Sequence, residues 1–445
     1  MDDSLLQSLR EALADDDLGG TADLLTRYAP QDVAATLERL GDPQQAVAFR
    51  LLEKGAALAV FEALDPAAQR ELVEQLGERE VAQVFARLDP DDRVVLLDEL
   101  PATVATSLMR SVPEDSRART DVVLGYPKGS VGRRMTPDFV SVRPTDTLGA
   151  ALERVRAGGA ASETIYTIPV VEQGRRLVGV ISLRSLLLPP GGDLVADHMV
   201  TPMFAYADED AEEAARRCVE RRVLAFPVLD REERLLGMLT IDDATRIVEA
   251  ARDEDEARAG GAEPLRLPYL RTPVRQITRS RIVWLLVLGV SAVLTVNVLE
   301  LFEATLEQRV ALALFIPLLT GIGGNTGSQA ATTVTRALAV GEARPRDVGR
   351  VAFKELRAGA LLGSLLGVLG WAVASAFYDS GIGAVIGLTL LSVCTLSATV
   401  GGAMPLAAKA MGVDPAVFST PFISTFCDAT GLLIYFTIAQ QVLGI

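Results

Sequence analysis

The 445-residue sequence is poor in the side chains on which most hydrolytic and redox enzymes depend. His198 is its only histidine, which excludes most zinc and iron centres and the Ser/His/Asp triads. Its three cysteines lie far apart without paired spacing, so neither a disulfide framework nor a thiolate metal site is indicated. We therefore expect that the protein is not an enzyme.

Positive charge is scarce in the first part of the chain. Residues 1–265 carry a net charge of −19, whereas the remainder carries +4 and is dominated by apolar runs. The acidic balance argues against nucleic acid as a partner, because a phosphate backbone needs a basic face. The start, MDDSLLQSLREAL, lacks the basic residues and apolar core of a signal peptide, and we expect the acidic part to be cytosolic.

Five stretches of the second part are long enough to cross a bilayer, which takes roughly 20 residues. Uncharged runs cover 282–299, 310–335, 358–378 and 380–408, and the last stretch, 415–445, contains one charge, Asp428. Arginines precede the first stretch and surround the loop between the second and third. The positive-inside rule therefore predicts a cytosolic N-terminus and, with five spans, an external C-terminus.

Two features of these spans indicate an ion path. Asp428 lies near the middle of an apolar span, where a carboxylate costs at least about 2.5 kcal/mol. The segment 317–329, PLLTGIGGNTGSQ, crowds glycines into the second span and predicts a broken helix whose carbonyls face a cavity. Tight packing of small residues is the alternative. With Asn325 and Gln329 nearby, the pattern favours a hydrated divalent cation.

The acidic part has two modules. Prolines 43, 66 and 90 recur every 23 or 24 residues before apolar helical stretches, which predicts a superhelix of helical hairpins. Residues 130–250 repeat at an offset of 58, and each copy has the pattern helix, strand, turn, strand, helix. This repeat resembles a tandem pair of CBS domains. The resemblance implies an adenine nucleotide, such as ATP, with its ribose on Thr240 and Asp243; the first copy has Ser182 and Ser185 instead.

The whole chain resembles the MgtE family of magnesium channels. The motifs are GIGGNTGSQ at 321–329, GVDPA at 412–416 and DATG at 428–431. The resemblance implies a multidomain protein of the bacterial cytoplasmic membrane, with a helical N-terminal domain, α/β tandem CBS domains, an acidic connector or plug helix and a five-helix pore domain. We place these parts at 1–128, 129–250, 251–280 and 281–445.

The same resemblance implies a homodimer in the lipid bilayer that imports Mg²⁺ through a pore on its two-fold axis. Two copies of Asp428 would then hold a hydrated ion through its water shell. The expected neighbours of this pore carboxylate are Gly321, Gly324, Asn325 and Ser424. Thr420 replaces an amide found in some relatives, and its shorter hydroxyl is expected to weaken an inner water contact.

Acidic residues in the first part predict a Mg²⁺ sensor that closes the pore. Like charges repel at short range, so a compact arrangement is favoured only when divalent cations bridge them. Asp414 is expected to share an ion with the connector. The candidate ligands are Asp89, Asp91, Asp92, Asp208, Asp210, Asp243, Glu254, Asp255 and Asp414.

The sequence leaves other functions open. One is a nucleotide-responsive membrane sensor that transports nothing, and another is a proton-coupled carrier with Asp428 as its proton site. The glycine-rich second span disfavours the former, and the lack of a second intramembrane carboxylate or histidine disfavours the latter. Channel and carrier are not distinguished, and neither are Mg²⁺, Co²⁺ and Mn²⁺, because oxygen ligands suit all three.

Overall fold

The computed structural model describes residues 3–15, 17–265, 267, 269–339, 341–412 and 420–445, with the side chains of residues 3, 42, 78 and 420 left aside. The chain divides into two compact units. The first unit comprises residues 1–251 and 266–272, and the second comprises residues 252–265 and 273–445.

In the described part of residues 1–128 the first unit consists of ten helices and no strand. This all-helical composition confirms the predicted helical domain. Proline occupies the first turn of four of these helices because its fixed φ suits a helix start and its missing N–H would be unpaired there. Leucine, valine and phenylalanine side chains between successive hairpins form one continuous apolar core. The helices are α1 Asp3–Ala14, α2 Leu18–Leu25, α3 Pro30–Leu37, α4 Asp42–Arg50, α5 Lys54–Ala63, α6 Pro66–Gln75, α7 Glu78–Phe85, α8 Pro90–Glu99, α9 Ala102–Ser111 and α10 Glu114–Leu124.

The rest of the first unit confirms the predicted internal repeat. Each copy has a helix, two antiparallel strands and a further helix, and each keeps its own apolar core. In both hairpins a non-glycine residue adopts positive φ at the turn, Arg175 in the first and Glu233 in the second. The elements are α11 Leu148–Gly158, β1 Thr167–Val171, β2 Leu177–Ser182, α12 Leu183–Leu187, α13 Val195–His198, β3 Ala205–Tyr206, α14 Ala211–Arg221, β4 Ala225–Leu229, β5 Leu235–Thr240 and α15 Ile241–Ala259.

The strands form a two-stranded and a three-stranded sheet. β1 pairs antiparallel with β2, and β4 lies between β3, which is parallel to it, and β5, which is antiparallel. β4 is buried along its whole length. α15 follows directly after β5 and continues through residue 251 to Ala259, so the first part of the predicted connector is an extension of the last helix of the second repeat.

The second unit contains five helices that are long and apolar enough to cross a membrane, in agreement with the predicted count. The first of them begins at Val274, seven residues before the predicted start of the pore domain. A short 3₁₀ segment, Val310–Phe315, leads into the second spanning helix. The helices are α16 Val274–Leu301, α17 Glu303–Gln308, α18 Ile316–Ala339, α19 Val348–Phe377, α20 Ser380–Ala410 and α21 Thr420–Leu443.

The prediction of a broken helix at 317–329 is wrong, because α18 is continuous from Ile316 to Ala339. Its glycines bring neighbouring helices close together. A Cβ on Gly323 would lie 2.6 Å from a methyl group of Val393, and a Cβ on Gly401 would lie 2.2 Å from the carbonyl oxygen of Gly327. Close packing of small residues therefore accounts for these glycines better than freed carbonyls do.

Candidate functional site

Three carboxylates from distant parts of the sequence meet inside the first unit. Asp91 lies in the first turn of α8, Asp243 in the first turn of α15, and Glu163 in the loop between α11 and β1. One oxygen of each lies within 4.8 Å of the others. Two of the three residues are shielded from solvent, since Asp91 is 4% exposed and Asp243 is 9% exposed. We call Asp91, Glu163 and Asp243 the inner cluster.

The inner cluster has unused hydrogen-bonding capacity. Within the part of the chain that the structure describes, Oδ1 of Asp91 and Oε2 of Glu163 are buried without a hydrogen-bond partner. A buried acceptor left unpaired costs about 1–3 kcal/mol, and more when it is charged. Burial, together with the neighbouring charge of Asp243, raises the pKa of Glu163 to about 8 and the pKa of Asp91 well above its ordinary value. A bound cation, or protonation of the carboxylates, would pair the free oxygens and would also reduce the repulsion between the neighbouring charges.

A second group, the outer cluster, consists of Glu62, Asp89 and Asp92, whose oxygens also lie within 4.8 Å of one another. Burial raises the pKa of Glu62 and of Asp92 to about 7, and the pKa of Asp89 is raised for the same reason. Arg246 lies between the two clusters, 2.6 Å from Asp243 and 3.7 Å from Asp92. Arg87, Arg93 and Arg119 also lie close enough to lower the pKa of carboxylates in the outer cluster, and Arg246 is a cation that contacts both clusters.

Of the predicted nucleotide residues, Asp243 belongs to the inner cluster and Thr240 contacts it. The Thr240 hydroxyl donates a hydrogen bond of 2.8 Å to Asp243 and lies 3.2 Å from Oε1 of Glu163. Both Thr240 and Asp243 are largely buried. In the first repeat the Ser182 side chain instead caps α12 by accepting a hydrogen bond from the Ser185 amide. The two repeats therefore differ at this position, as the sequence indicated.

Several predicted sensor residues lie elsewhere. Asp208 pairs with Arg231 at 2.5 Å, and Asp210 caps α14 by accepting from the Glu213 amide, so both have local structural roles. In the second unit, Glu254 pairs with Arg258 one turn along α15. Asp255 lies on the same helix and makes an interaction of its own. Asp414 lies outside the described residues.

Asp428 is half-buried on α21, one helical turn after Ser424. Ser424 lies against α18, because a Cβ on Gly324 would be 2.4 Å from its hydroxyl oxygen. Gly321 has open space around it, with no described atom within 4 Å of an added Cβ. The Thr420 side chain lies outside the described part of the chain. The structure thus brings Ser424 and Gly324 together beside the turn that carries Asp428.

Asn325 belongs to a polar face of α18 that the sequence analysis recognised only in part. A cavity of about 330 Å³ lies along it. The lining residues recur at the three- and four-residue spacing of a single helix face. Of these, all but Ser328 are exposed in the single chain. The cavity is lined by Asn325, Ser328, Gln329, Thr332 and Thr333.

Three family descriptions match successive parts of the chain. The MgtE intracellular N domain matches residues 28–129, the CBS domain matches 129–188 and 195–250, and the MgtE divalent cation transporter matches 316–438. The magnesium transporter MgtE of Thermus thermophilus is 34% identical over 453 residues, covering 100% of this chain and 99% of the relative. That of Bacillus subtilis is 28% identical, covering 98% and 97%.

The chain belongs to the MgtE family. It is therefore a multi-pass membrane protein of a magnesium transporter family, with the domain order that the sequence indicated. A solved structure of the cytosolic domain of the Mg²⁺ channel MgtE in complex with ATP is similar to the first part of this MgtE chain. It has a TM-score of 0.51 and 32% identity, and it covers 54% of this chain and 99% of its own.

Sequence reasoning missed Glu62 and Glu163. Glu62 lies near the end of α5, and Glu163 follows a small-residue loop, so neither belongs to an acidic run. The spacing of the hairpins and repeats indicated each module but not which of their side chains meet. Thr332 and Thr333 carried a signal that could have been used, because they continue the helical spacing of Asn325 and Gln329.

Proposed function

We propose that this protein is a Mg²⁺-selective channel of the bacterial cytoplasmic membrane, which imports Mg²⁺ as a homodimer and is closed when Mg²⁺ binds its acidic clusters. The observation that carries the proposal is the inner cluster. Three buried carboxylates with two unpaired oxygens form a set of ligands that a hard divalent cation prefers. Mg²⁺ as the transported ion accords with a family of divalent cation transporters and with the magnesium transporters to which the chain is similar.

The two clusters are well placed to report cytosolic Mg²⁺. Their ligands come from α5 and α8 of the helical domain and from both repeats, so a bound cation would hold these modules together. Without a cation, repulsion between closely spaced carboxylates favours separation. Asp243 starts α15, and the same helix continues into the connector at 252–259. Separation of the modules would therefore be transmitted along a continuous helix.

The membrane helices support a pore shared by two copies. The polar face of α18 is exposed in one chain, and polar groups facing lipid would cost free energy. A second copy, with water between the two faces, removes that cost. Two-fold symmetry would also bring two Asp428 carboxylates to one axis, where they would hold a hydrated Mg²⁺ through its waters.

An apolar surface on the repeats supports the same assembly. Leu188 and Val200 are 71% and 63% exposed, and Leu187, Met203 and Phe204 are exposed as well. Exposed apolar groups of this size favour association with a like surface.

The charge distribution supports an orientation with the acidic domains in the cytosol. Arg275, Arg279 and Arg281 lie in the first two turns of α16, and basic residues also flank the connection between α18 and α19. The positive-inside rule places these ends in the cytosol. Five spans then put the C-terminus outside.

We further propose that an adenine nucleotide binds the second repeat at Thr240 and Asp243. The relative solved with ATP supports this, since it is 32% identical over the corresponding part of the chain. Because Asp243 also belongs to the inner cluster, nucleotide and Mg²⁺ would affect each other's binding.

Uptake into proteoliposomes tests the transport proposal. Vesicles containing the wild-type protein should accumulate Mg²⁺ faster than empty vesicles, and Mg²⁺ on the cytosolic side should slow uptake. Co²⁺ and Mn²⁺ tested in parallel would define selectivity. Uptake equal to that of empty vesicles under low cytosolic Mg²⁺ would contradict the proposal and would favour a sensor that transports nothing.

A further inference from the structure

Arg271 lies just before the first membrane helix and inserts into the helical N-terminal domain. Its Nη1 donates a hydrogen bond of 3.1 Å to the carbonyl oxygen of Glu38, at the end of α3. Its Nη2 donates one of 2.7 Å to the carboxylate of Glu71 on α6 and lies 3.4 Å from Oε1 of Gln45 on α4. Only 11% of the Arg271 side chain is exposed. A nearly buried arginine is thus bound by three different helices.

The acceptors are held in place by the fold of the domain. Gln45 is fully buried, and Glu71 is 20% exposed. Glu38 also accepts a hydrogen bond of 2.8 Å from the Asp65 amide, which fixes the end of α3 to the start of α6. These contacts hold the acceptors in fixed positions. The Glu71 carboxylate and the Gln45 side-chain oxygen face Nη2 of Arg271, and the Glu38 carbonyl oxygen faces Nη1. That pattern matches the planar fork of a guanidinium and not the single ammonium of lysine.

Local hydrogen bonds fix the conformation of the segment that carries Arg271. The Thr272 hydroxyl donates to the Leu267 carbonyl at 3.0 Å, and the Thr272 amide bonds to the Tyr269 carbonyl at 3.3 Å. Leu267 and Thr272 are buried, whereas Leu270 is 92% exposed. Thr272 is followed by Pro273, the N-cap of α16. The bound arginine is therefore three residues from the start of a spanning helix.

We infer that the N-terminal domain has a guanidinium-binding surface, formed by Glu38, Gln45 and Glu71, whose partner is the chain's own Arg271. Through this contact the domain holds the chain three residues before the first spanning helix, in addition to the path along α15. Movement of the N-terminal domain would then pull on α16 through a link of two residues. This consequence for gating rests on the proposed function, but the contact itself does not.

Hydrogen exchange on the full-length protein in lipid nanodiscs tests the contact. Arg271→Ala should raise the exchange rate of the amides at 269–272 about tenfold, because their anchor is lost. Arg275→Ala is the matched control, since Arg275 is exposed four residues later and carries the same charge. Glu71→Gln should act like Arg271→Ala from the opposite side of the contact, and combining the two should add little.

Arg271→Lys separates charge from shape. Exchange close to that of Arg271→Ala would support guanidinium recognition, whereas exchange equal to that of the wild type would overturn it. If neither Arg271→Ala nor Glu71→Gln raised exchange above the Arg275→Ala control, the contact itself would be refuted, whatever the channel does.

The gating consequence has its own readout. In current recordings across a millimolar Mg²⁺ range, Arg271→Ala should raise the Mg²⁺ concentration for half-maximal closure at least about fivefold relative to Arg275→Ala. Raised exchange with unchanged closure would reject transmission through Arg271 while keeping the contact. A wild-type protein whose current ignored Mg²⁺ would refute the proposed function and this consequence, and exchange would still decide the contact.

Discussion

The inner cluster of the first unit and the Asp428 region of the second unit both place carboxylates away from bulk water, but by different means. The inner cluster gathers Asp91, Glu163 and Asp243 from three separate segments, and Arg246 pairs with Asp243. Asp428 is one acid on one apolar helix, among helices packed through glycine. The first arrangement lies within one chain, whereas the second offers one charge per chain and, in the proposed function, would be completed by a second copy.

The comparison explains why each region suits a different task. In the proposed function, several carboxylates with unpaired oxygens would bind a cation within one chain and so report its concentration. A conducting site must release its ion, and two carboxylates acting through water hold it more weakly. The experiments below test this contrast, starting with the largest expected effect.

Removing the Asp428 carboxylate should have the greatest consequence. Asp428→Ala is expected to reduce Mg²⁺ uptake about tenfold or more, because the waters of the ion would lose a charge-assisted hydrogen bond worth about 1.5–3 kcal/mol. The dimer should still form, since the change removes no large apolar group. Glu307→Gln, an exposed acid outside the spans, is the control. Flux in Asp428→Ala equal to that of the control would remove Asp428 from the ion path.

Glycine packing in the second unit can be tested by one pair of variants. Gly401→Ala should lower the free energy of unfolding by about 1–3 kcal/mol, because its Cβ would meet the Gly327 carbonyl at 2.2 Å. Gly321→Ala, on the same helix as Gly327, has open space and should be neutral or stabilising by up to about 1 kcal/mol. Denaturation in detergent measures both. Equal stability of the two variants would contradict the packing account.

Protons should partly replace Mg²⁺ in the first unit. Burial raises the pKa of Glu163 from its ordinary 4.5 to about 8, so its ionisation destabilises the compact form as pH rises through that interval and has no effect below it. Without Mg²⁺, the compact form should therefore be more stable at acid pH. Exchange of amides in α8, corrected for intrinsic pH effects, should be slower at the acid end. Glu163→Gln should make the exchange rate in α8 less dependent on pH. A wild-type exchange rate that depends on pH no more than that of the variant would contradict the role of Glu163.

The smallest effect concerns the nucleotide. Thr240→Ala should weaken binding of ATP or AMP about three- to tenfold, since one hydroxyl hydrogen bond is lost. Ser182→Ala, at the matching position of the first repeat, should leave affinity unchanged. Calorimetry on the full-length protein would measure both, and equal losses in the two variants would show that the second repeat is not the preferred site.

The sequence was most informative where one element carries the signal by itself. Five apolar runs indicated five spanning helices, the offset repeat indicated two similar modules, and Asp428 was conspicuous within its own span. Glu62 and Glu163 could not be found in this way, because their position depends on how α5 and the 159–166 loop pack against α8 and α15. The glycines of α18 led to the wrong prediction of a broken helix for a related reason. Glycine permits both a broken helix and close helix packing, and only the neighbours of Gly323 and Gly327 distinguish these outcomes.

The central claim is that the acidic clusters bind Mg²⁺ and thereby hold the modules of the first unit together. It is tested most directly by hydrogen exchange in the first turns of α8 and α15 of the full-length protein, measured while Mg²⁺ is titrated. In the wild type and in Asp121→Asn, an exposed acid on α10, Mg²⁺ should slow exchange with a saturable dependence. In Asp91→Asn the response should be clearly smaller, because only the outer cluster is left intact. Wild-type exchange that does not change with Mg²⁺, or a full response in Asp91→Asn, would contradict the account.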